Sequence, residues 1–172
     1  AALKEKIKVF SFPLNLNLKQ QLPQIMDIRD RFPDITLDVD ANGVFRPGEN
    51  VDWGDLLEFY HNLEKERIRI YEQPLDYRVG WFAIDKFRET IKTPLSFDQS
   101  ILSIQDIDIL KKMVIKDDWT GFVNLKPTQL GGLRNTLNIL VDLDLHNQQY
   151  PENRLRVIPG YQFEQDLMMH AS

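Results

Sequence analysis

Apolar positions along this chain recur in two alternating rhythms. Short β-type runs (Lys6–Phe10, Ile35–Val39, Ile68–Tyr71, Leu95–Phe97, Gly121–Leu125, Leu155–Ile158) are separated by stretches of helical spacing. Leu18, Leu22, Ile25, Ile28 and Phe32 define the first helical stretch, which Pro33-Asp34 stops. The second starts near Asp52 and carries Leu56, Leu57, Tyr60 and Leu63, and the third runs around Phe82–Ile91. Ser103 reads as the N-cap of a fourth bearing Ile107, Leu110 and Val114. Gly131-Gly132 precedes a fifth with Leu133, Leu137, Leu140 and Val141, and a polar loop from His146 to Asn153 leads to the last strand. Strict alternation of strand and helix predicts an α/β fold with parallel strands, six of them, of (β/α) barrel type. Such a sheet would have an open edge at each end, so further chain, or another chain, is expected to complete it.

Each of five strands carries a charged residue near its carboxyl end: Lys8, Asp40, Glu72, Asp98 and Lys126, at intervals of 32, 32, 26 and 28 residues. A parallel barrel gathers the carboxyl ends of its strands on one face, so these groups are expected to converge. An acid after a strand is by itself most often a helix cap or a solvated loop residue; the recurrence in every unit is what carries information. Three carboxylates offer hard oxygen ligands suited to Mg²⁺, and two lysines offer candidate bases. Partial burial, a second lysine and a bound dication would each make a lysine a better base at neutral pH. Metal binding of a substrate carboxylate would stabilise the anion left when an α-proton is removed. Strand alternation places Lys6 beside Lys8 and Asp38 beside Asp40, predicting a Lys6–Asp38 pair one layer below.

The remaining features restrict the reading further. The 172 residues, 42% of them hydrophobic, suit one globular domain, and a net charge of −5 without a basic run disfavours nucleic-acid binding. There is no cysteine, which removes thiolate ligands and disulfides. Apolar runs are strand-sized and charge-broken, and Lys4, Glu5, Lys6 and Lys8 interrupt the amino end, so a cytoplasmic enzyme with no membrane partner is expected. His61, His146 and His170 fall on helices or loops and read as surface or packing residues, as do Trp53, Trp81 and Trp119 on the crossovers. Asp106, Asp108, Asp117 and Asp118 read as a solvated helix face and turn. Gly131-Gly132 would serve equally as a plain turn or as an anion-facing helix start.

With Lys6-Ile7-Lys8-Val9, Leu37-Asp38-Val39-Asp40-Ala41-Asn42, Ile70-Tyr71-Glu72-Gln73-Pro74, Pro94-Leu95-Ser96-Phe97-Asp98-Gln99-Ser100 and Val123-Asn124-Leu125-Lys126-Pro127, the chain resembles the enolase superfamily, in its muconate-lactonizing subgroup. Sites of that superfamily join a Lys or His base to Mg²⁺. The resemblance implies strands two to seven of a modified TIM-type barrel over residues 1–172, with Val157-Ile158-Pro159-Gly160 as strand seven. It implies Mg²⁺ on Asp40, Glu72 and Asp98, catalytic Lys8 and Lys126 on opposite faces of a small carboxylate substrate, and supporting or substrate-lining parts for Lys6, Asn42, Gln99 and Gly160. The family's capping domain and strands one and eight do not occur in these residues, so the remainder of a longer polypeptide is an expected partner, and an oligomer is allowed. Gln99 stands where the family commonly has Glu, and Asp38 where Arg is frequent. The leading implied activity is dehydration to o-succinylbenzoate, a step of menaquinone biosynthesis. Dipeptide epimerisation, N-acylamino acid racemisation and muconate cycloisomerisation are alternatives, and an inert structural barrel piece is the reading from another class.

Overall fold

A computed structural model describes residues 9–116 and 119–159. The chain divides after Leu95 into two compact units. In the first, strands β1 (Val9–Pro13), β2 (Thr36–Asp40) and β3 (Ile68–Glu72) run parallel in that order, connected through helices α1 (Leu18–Arg31) and α2 (Trp53–Glu64). A short 3-10 turn, Tyr77–Val79, leads from β3 into α3 (Gly80–Thr90). In the second, strands β4 (Leu95–Phe97), β5 (Gly121–Leu125) and β6 (Leu155–Pro159) are parallel, joined by α4 (Ile104–Lys116) and α5 (Leu133–Gln149).

Helix ends follow from local chemistry. Asp52 caps α2, its Oδ1 accepting from the amides of Gly54 (2.7 Å) and Asp55 (3.1 Å), which satisfies donors that lack a partner in the first turn. Ser103 precedes α4 as expected, and its hydroxyl donates to Asp106 at 2.8 Å. Asp106 is thus part of the helix start, and Asp108 pairs with Lys111; Asp117 and Asp118 lie outside the described residues. Helix α5 runs on through His146 to Gln149, where a polar loop was predicted. The physical reason is that His146 is buried, with its Nε2 3.0 Å from the Asn153 carbonyl, so the residue belongs to the packed face.

The core of the first unit is aromatic. Tyr60 from α2 stacks edge-on against Tyr71 of β3 (centroids 4.8 Å apart), Phe87 of α3 (4.9 Å) and Phe45 (6.5 Å), all fully buried. Trp53 meets Phe87, and in the second unit Trp119 meets Phe97, so both indoles pack as predicted. At the amino end of β2 and β3, Arg29 of α1 is 8% exposed and donates to the carbonyls of Ile35 (2.7 Å), Glu66 (3.0 Å), Pro33 (3.2 Å) and Arg67 (3.4 Å). One rigid guanidinium therefore ties the helix to both strand entries.

Candidate active site

The first unit brings Asp40 and Glu72 to one level at the carboxyl ends of β2 and β3. Leu37 lies opposite Ile68, but Val39 lies opposite Tyr71 and Asp40 opposite Glu72, so β3 gains one residue across an irregularity in the ladder. A constant register would set Asp40 against Tyr71 and turn Glu72 to the other side of the sheet, because side chains alternate. The bulge puts both acids on one face.

Beyond the acids the two chains stay tied, with the Ala41 amide donating to the Glu72 carbonyl and the Gly43 amide to the Gln73 carbonyl, both at 3.0 Å. Asn42 (φ 48°) and Gln73 (φ 38°) adopt the left-handed conformation that turns each chain sharply away. Asp40 Oδ1 accepts from the Asn42 amide at 2.8 Å, which fixes that carboxylate. Asn42 thus acts through its backbone, with an exposed side chain. Buried Gln73 donates to the Leu75 carbonyl at 2.7 Å, and the Tyr60 hydroxyl reaches the Pro74 carbonyl at 3.5 Å. Burial drives the phenol pKa of Tyr60 well up and that of Tyr71 up as well, so neither is a base at neutral pH.

The second unit holds the other pair. Lys126, just past β5, donates to Asp98 Oδ2, just past β4, at 2.7 Å, with side-chain exposures of 13% and 8%. Below them on the same strands lie buried Asn124 and Ser96. Gln99 is half-buried in the turn that the Ile101 amide closes onto the Asp98 carbonyl at 3.0 Å.

The partner expected for Asp38, Lys6, lies outside the described residues; Arg69 of β3 donates to Asp38, Nε to Oδ1 at 2.8 Å, and the contact raises the arginine's pKa. The pairing of Leu37 with Ile68 is the cause, since the same register continued by one residue sets Arg69 beside Asp38. Among the described residues the first strand covers Val9–Pro13, running past Phe10, with Val9 opposite Thr36 and Pro13 level with Asp40. Lys6, Lys8, Gly160 and His170 lie outside the described residues.

The donor set fits a hard dication in kind, with carboxylates at the strand ends and histidines elsewhere. His61 sits at the end of α2, its Nε2 2.9 Å from the Thr90 carbonyl, and His146 is in the core. Among the described residues no three acids, histidines or cysteines are gathered into one group able to hold a metal. No helix among them is long and apolar enough to cross a membrane. Sequence reasoning missed Arg69 and Arg29. Arg69 gave no signal without the register, whereas Arg29 falls in line with Gln21 and Ile25 on the buried face of α1, and a charge at core spacing is a readable sign.

Residues 2–148 match the family model described as enolase C-terminal domain-like. Over 126 residues the chain is 30% identical to o-succinylbenzoate synthase of Bacillus subtilis, a match covering 70% of this chain and 29% of that enzyme. Among solved structures it is similar to the N-succinyl Arg/Lys racemase of Bacillus cereus, with a TM-score of 0.76 and 20% identity over 95% of this chain and 40% of that one. It is also similar to the dipeptide epimerase of Cytophaga hutchinsonii complexed with Mg and D-Ala-L-Val, with a TM-score of 0.70 and 23% identity over 92% and 39%. The muconate lactonizing enzyme of Pseudomonas putida gives 0.72 and 18% over 95% and 42%. These likenesses show the fold, a stretch of the expected (β/α) barrel type, and the chain spans well under half the length of each relative.

Proposed function

Because the chain belongs to the enolase C-terminal domain-like family, we propose that it is the catalytic part of a Mg²⁺-dependent enzyme that abstracts the α-proton of a small carboxylate, and that its reaction is dehydration to o-succinylbenzoate. The observation that carries this is the Lys126–Asp98 pair, an ammonium and a carboxylate on the ends of neighbouring parallel strands and largely shielded from water. A solvated surface pair would not need that shelter, whereas proton transfer to carbon benefits from it. The 30% identity to a synthase supports the choice of dehydration.

In this reading Asp40, Glu72 and Asp98 would hold the cation, which would supply positive charge to the substrate carboxylate. Asp40 is held for that task by the Asn42 amide, and the turn after Glu72 is held by Gln73 and Tyr60. Lys8 removes the α-proton and assists hydroxide departure, while the Lys126 ammonium faces the anionic intermediate. Lys8 enters through the Lys6-Ile7-Lys8 motif, and Lys8→Ala tests it separately. In an epimerase both lysines would exchange protons with the substrate carbon.

The test uses the full-length protein with Mg²⁺, the precursor that dehydrates to o-succinylbenzoate, and a panel of L-Ala-L-Glu-like dipeptides in D₂O. Dehydration of the precursor, reduced roughly 10³-fold by Lys126→Ala, is expected. Deuterium entering the dipeptides at the α-carbon with no dehydration would replace the synthase by an epimerase. Inactivity on both, without uptake of Mg²⁺ by the folded protein, would leave the inert barrel piece.

A further inference from the structure

The loops that follow Asp40 and Glu72 are fastened to each other twice. The first tie is the pair of bonds from the Ala41 and Gly43 amides to the carbonyls of Glu72 and Gln73. Past it the two chains meet again at Asp76, whose amide donates to the Phe45 carbonyl at 2.9 Å. Side chains repeat this second contact: Arg46 Nε lies 3.4 Å from Asp76 Oδ2, the acid's side chain being 7% exposed and the arginine's 34%. Each partner is also braced within its own loop. Asp76 Oδ1 accepts from the amide and from Nε of Arg78, both at 2.9 Å. Asn50 holds the backbone around Arg46, its Oδ1 accepting from the Arg46 amide and its Nδ2 donating to the Val44 carbonyl, both at 2.8 Å.

The charged contact is not needed to anchor the loops, since Phe45 and Leu75 are fully buried and supply apolar anchors to one loop each. Nor does a shielded ion pair by itself argue for stability, because desolvation offsets much of the attraction. What it adds is position: apolar side chains can slide over one another, whereas a carboxylate and a guanidinium held from both sides meet in one arrangement. The residues that a slide would displace are Asn42, whose amide holds Asp40 Oδ1, and Glu72, whose carbonyl takes part in the first tie. We propose that Arg46 and Asp76 are positioning residues, a clamp between the two loops that keeps the Asp40 and Glu72 carboxylates at the separation a divalent cation requires. The proposal rests on the reading of those two acids as cation ligands. Mg²⁺ demands near-octahedral geometry, so a small displacement of its ligands is felt in affinity before it is felt in stability.

Titration of Mg²⁺ into the full-length protein, beside urea unfolding of the same samples, tests this. Arg46→Met and Asp76→Asn are each expected to weaken Mg²⁺ binding roughly tenfold. The two together should lose no more than the larger single loss, because one contact is removed in every case. Arg46→Lys, which keeps a cation beside Asp76, should restore part of the affinity, and Arg46→Gln takes the place of Arg46→Met if that variant does not fold. Glu49→Gln removes the other, exposed partner of Arg46 and should bind Mg²⁺ as the wild type does. A wild type that takes up no Mg²⁺ would overturn the ligand reading and this proposal together. Where the wild type binds it, variants that lose stability yet bind Mg²⁺ as tightly, or losses that multiply in the double variant, would overturn the clamp alone and leave the ligands standing.

Discussion

Lys126 Nζ and Asp98 Oδ2 meet at 2.7 Å across the carboxyl ends of β5 and β4, with the amine 13% and the acid 8% exposed. Their cost of desolvation is offset only while both are present. Lys126→Met should therefore lower the unfolding free energy of the full-length protein by about 3 kcal/mol in urea titrations without Mg²⁺. Lys126→Met with Asp98→Leu should recover most of that stability while remaining inactive. Equal stability of the single and double variants would show that the pair is not coupled.

Arg29 makes a prediction of a different kind, because one buried side chain serves four carbonyls on two strand entries. Arg29→Ala should cost about 2–4 kcal/mol, since charge-assisted hydrogen bonds and the packing of the buried side chain are lost together. Arg29→Lys should recover only a part, because an ammonium cannot span four acceptors as a planar fork does. Denaturant unfolding measures both, and Mg²⁺ affinity should not change, as the residue lies at the opposite ends of the strands from Asp40 and Glu72.

Asp76 makes the first unit sensitive to acid. Hydrogen bonds from Arg78 hold its carboxyl below the ordinary range, outweighing burial, and Arg46 adds charge at 3.4 Å. A depressed folded-state pKa contributes stability that is complete above the unfolded value of about 3.9 and is lost as pH falls through the folded value. Stability should thus fall from about pH 4 downward. In Asp76→Asn that part of the acid limb should flatten, which unfolding curves taken across the range would show.

Asp38 and Arg69 should matter less, since Arg69 is 48% exposed. Arg69→Met is expected to cost about 0.5–1 kcal/mol, the range of a water-accessible ion pair. A loss several times larger, by the same unfolding measurement, would mean that Asp38 has no other means of solvation.

The alternation of strand and helix was legible in the sequence because each element has its own apolar period, and β4, β5 and the start of α2 near Asp52 fall where those periods place them. Register was not. A bulge that aligns Asp40 with Glu72 depends on how two strands fit together, and residues 37–40 and 68–72 each read as ordinary strands alone. Arg69 as a partner of Asp38 likewise follows only once Leu37 is known to lie opposite Ile68. His146 was misread as loop because polar residues follow it, although its ring fills a buried position on α5. The site acids and Lys126 were readable since their place at strand ends needs no register to recognise.

Isothermal titration of Mg²⁺ into the full-length protein, beside Asp40→Asn and Glu72→Gln, tests the central claim most directly. The account predicts saturable binding to one site per chain, weakened at least tenfold by either substitution while the fold is retained. A folded wild type that takes up no Mg²⁺, or binds it with the same affinity after both acids are neutralised, would contradict it.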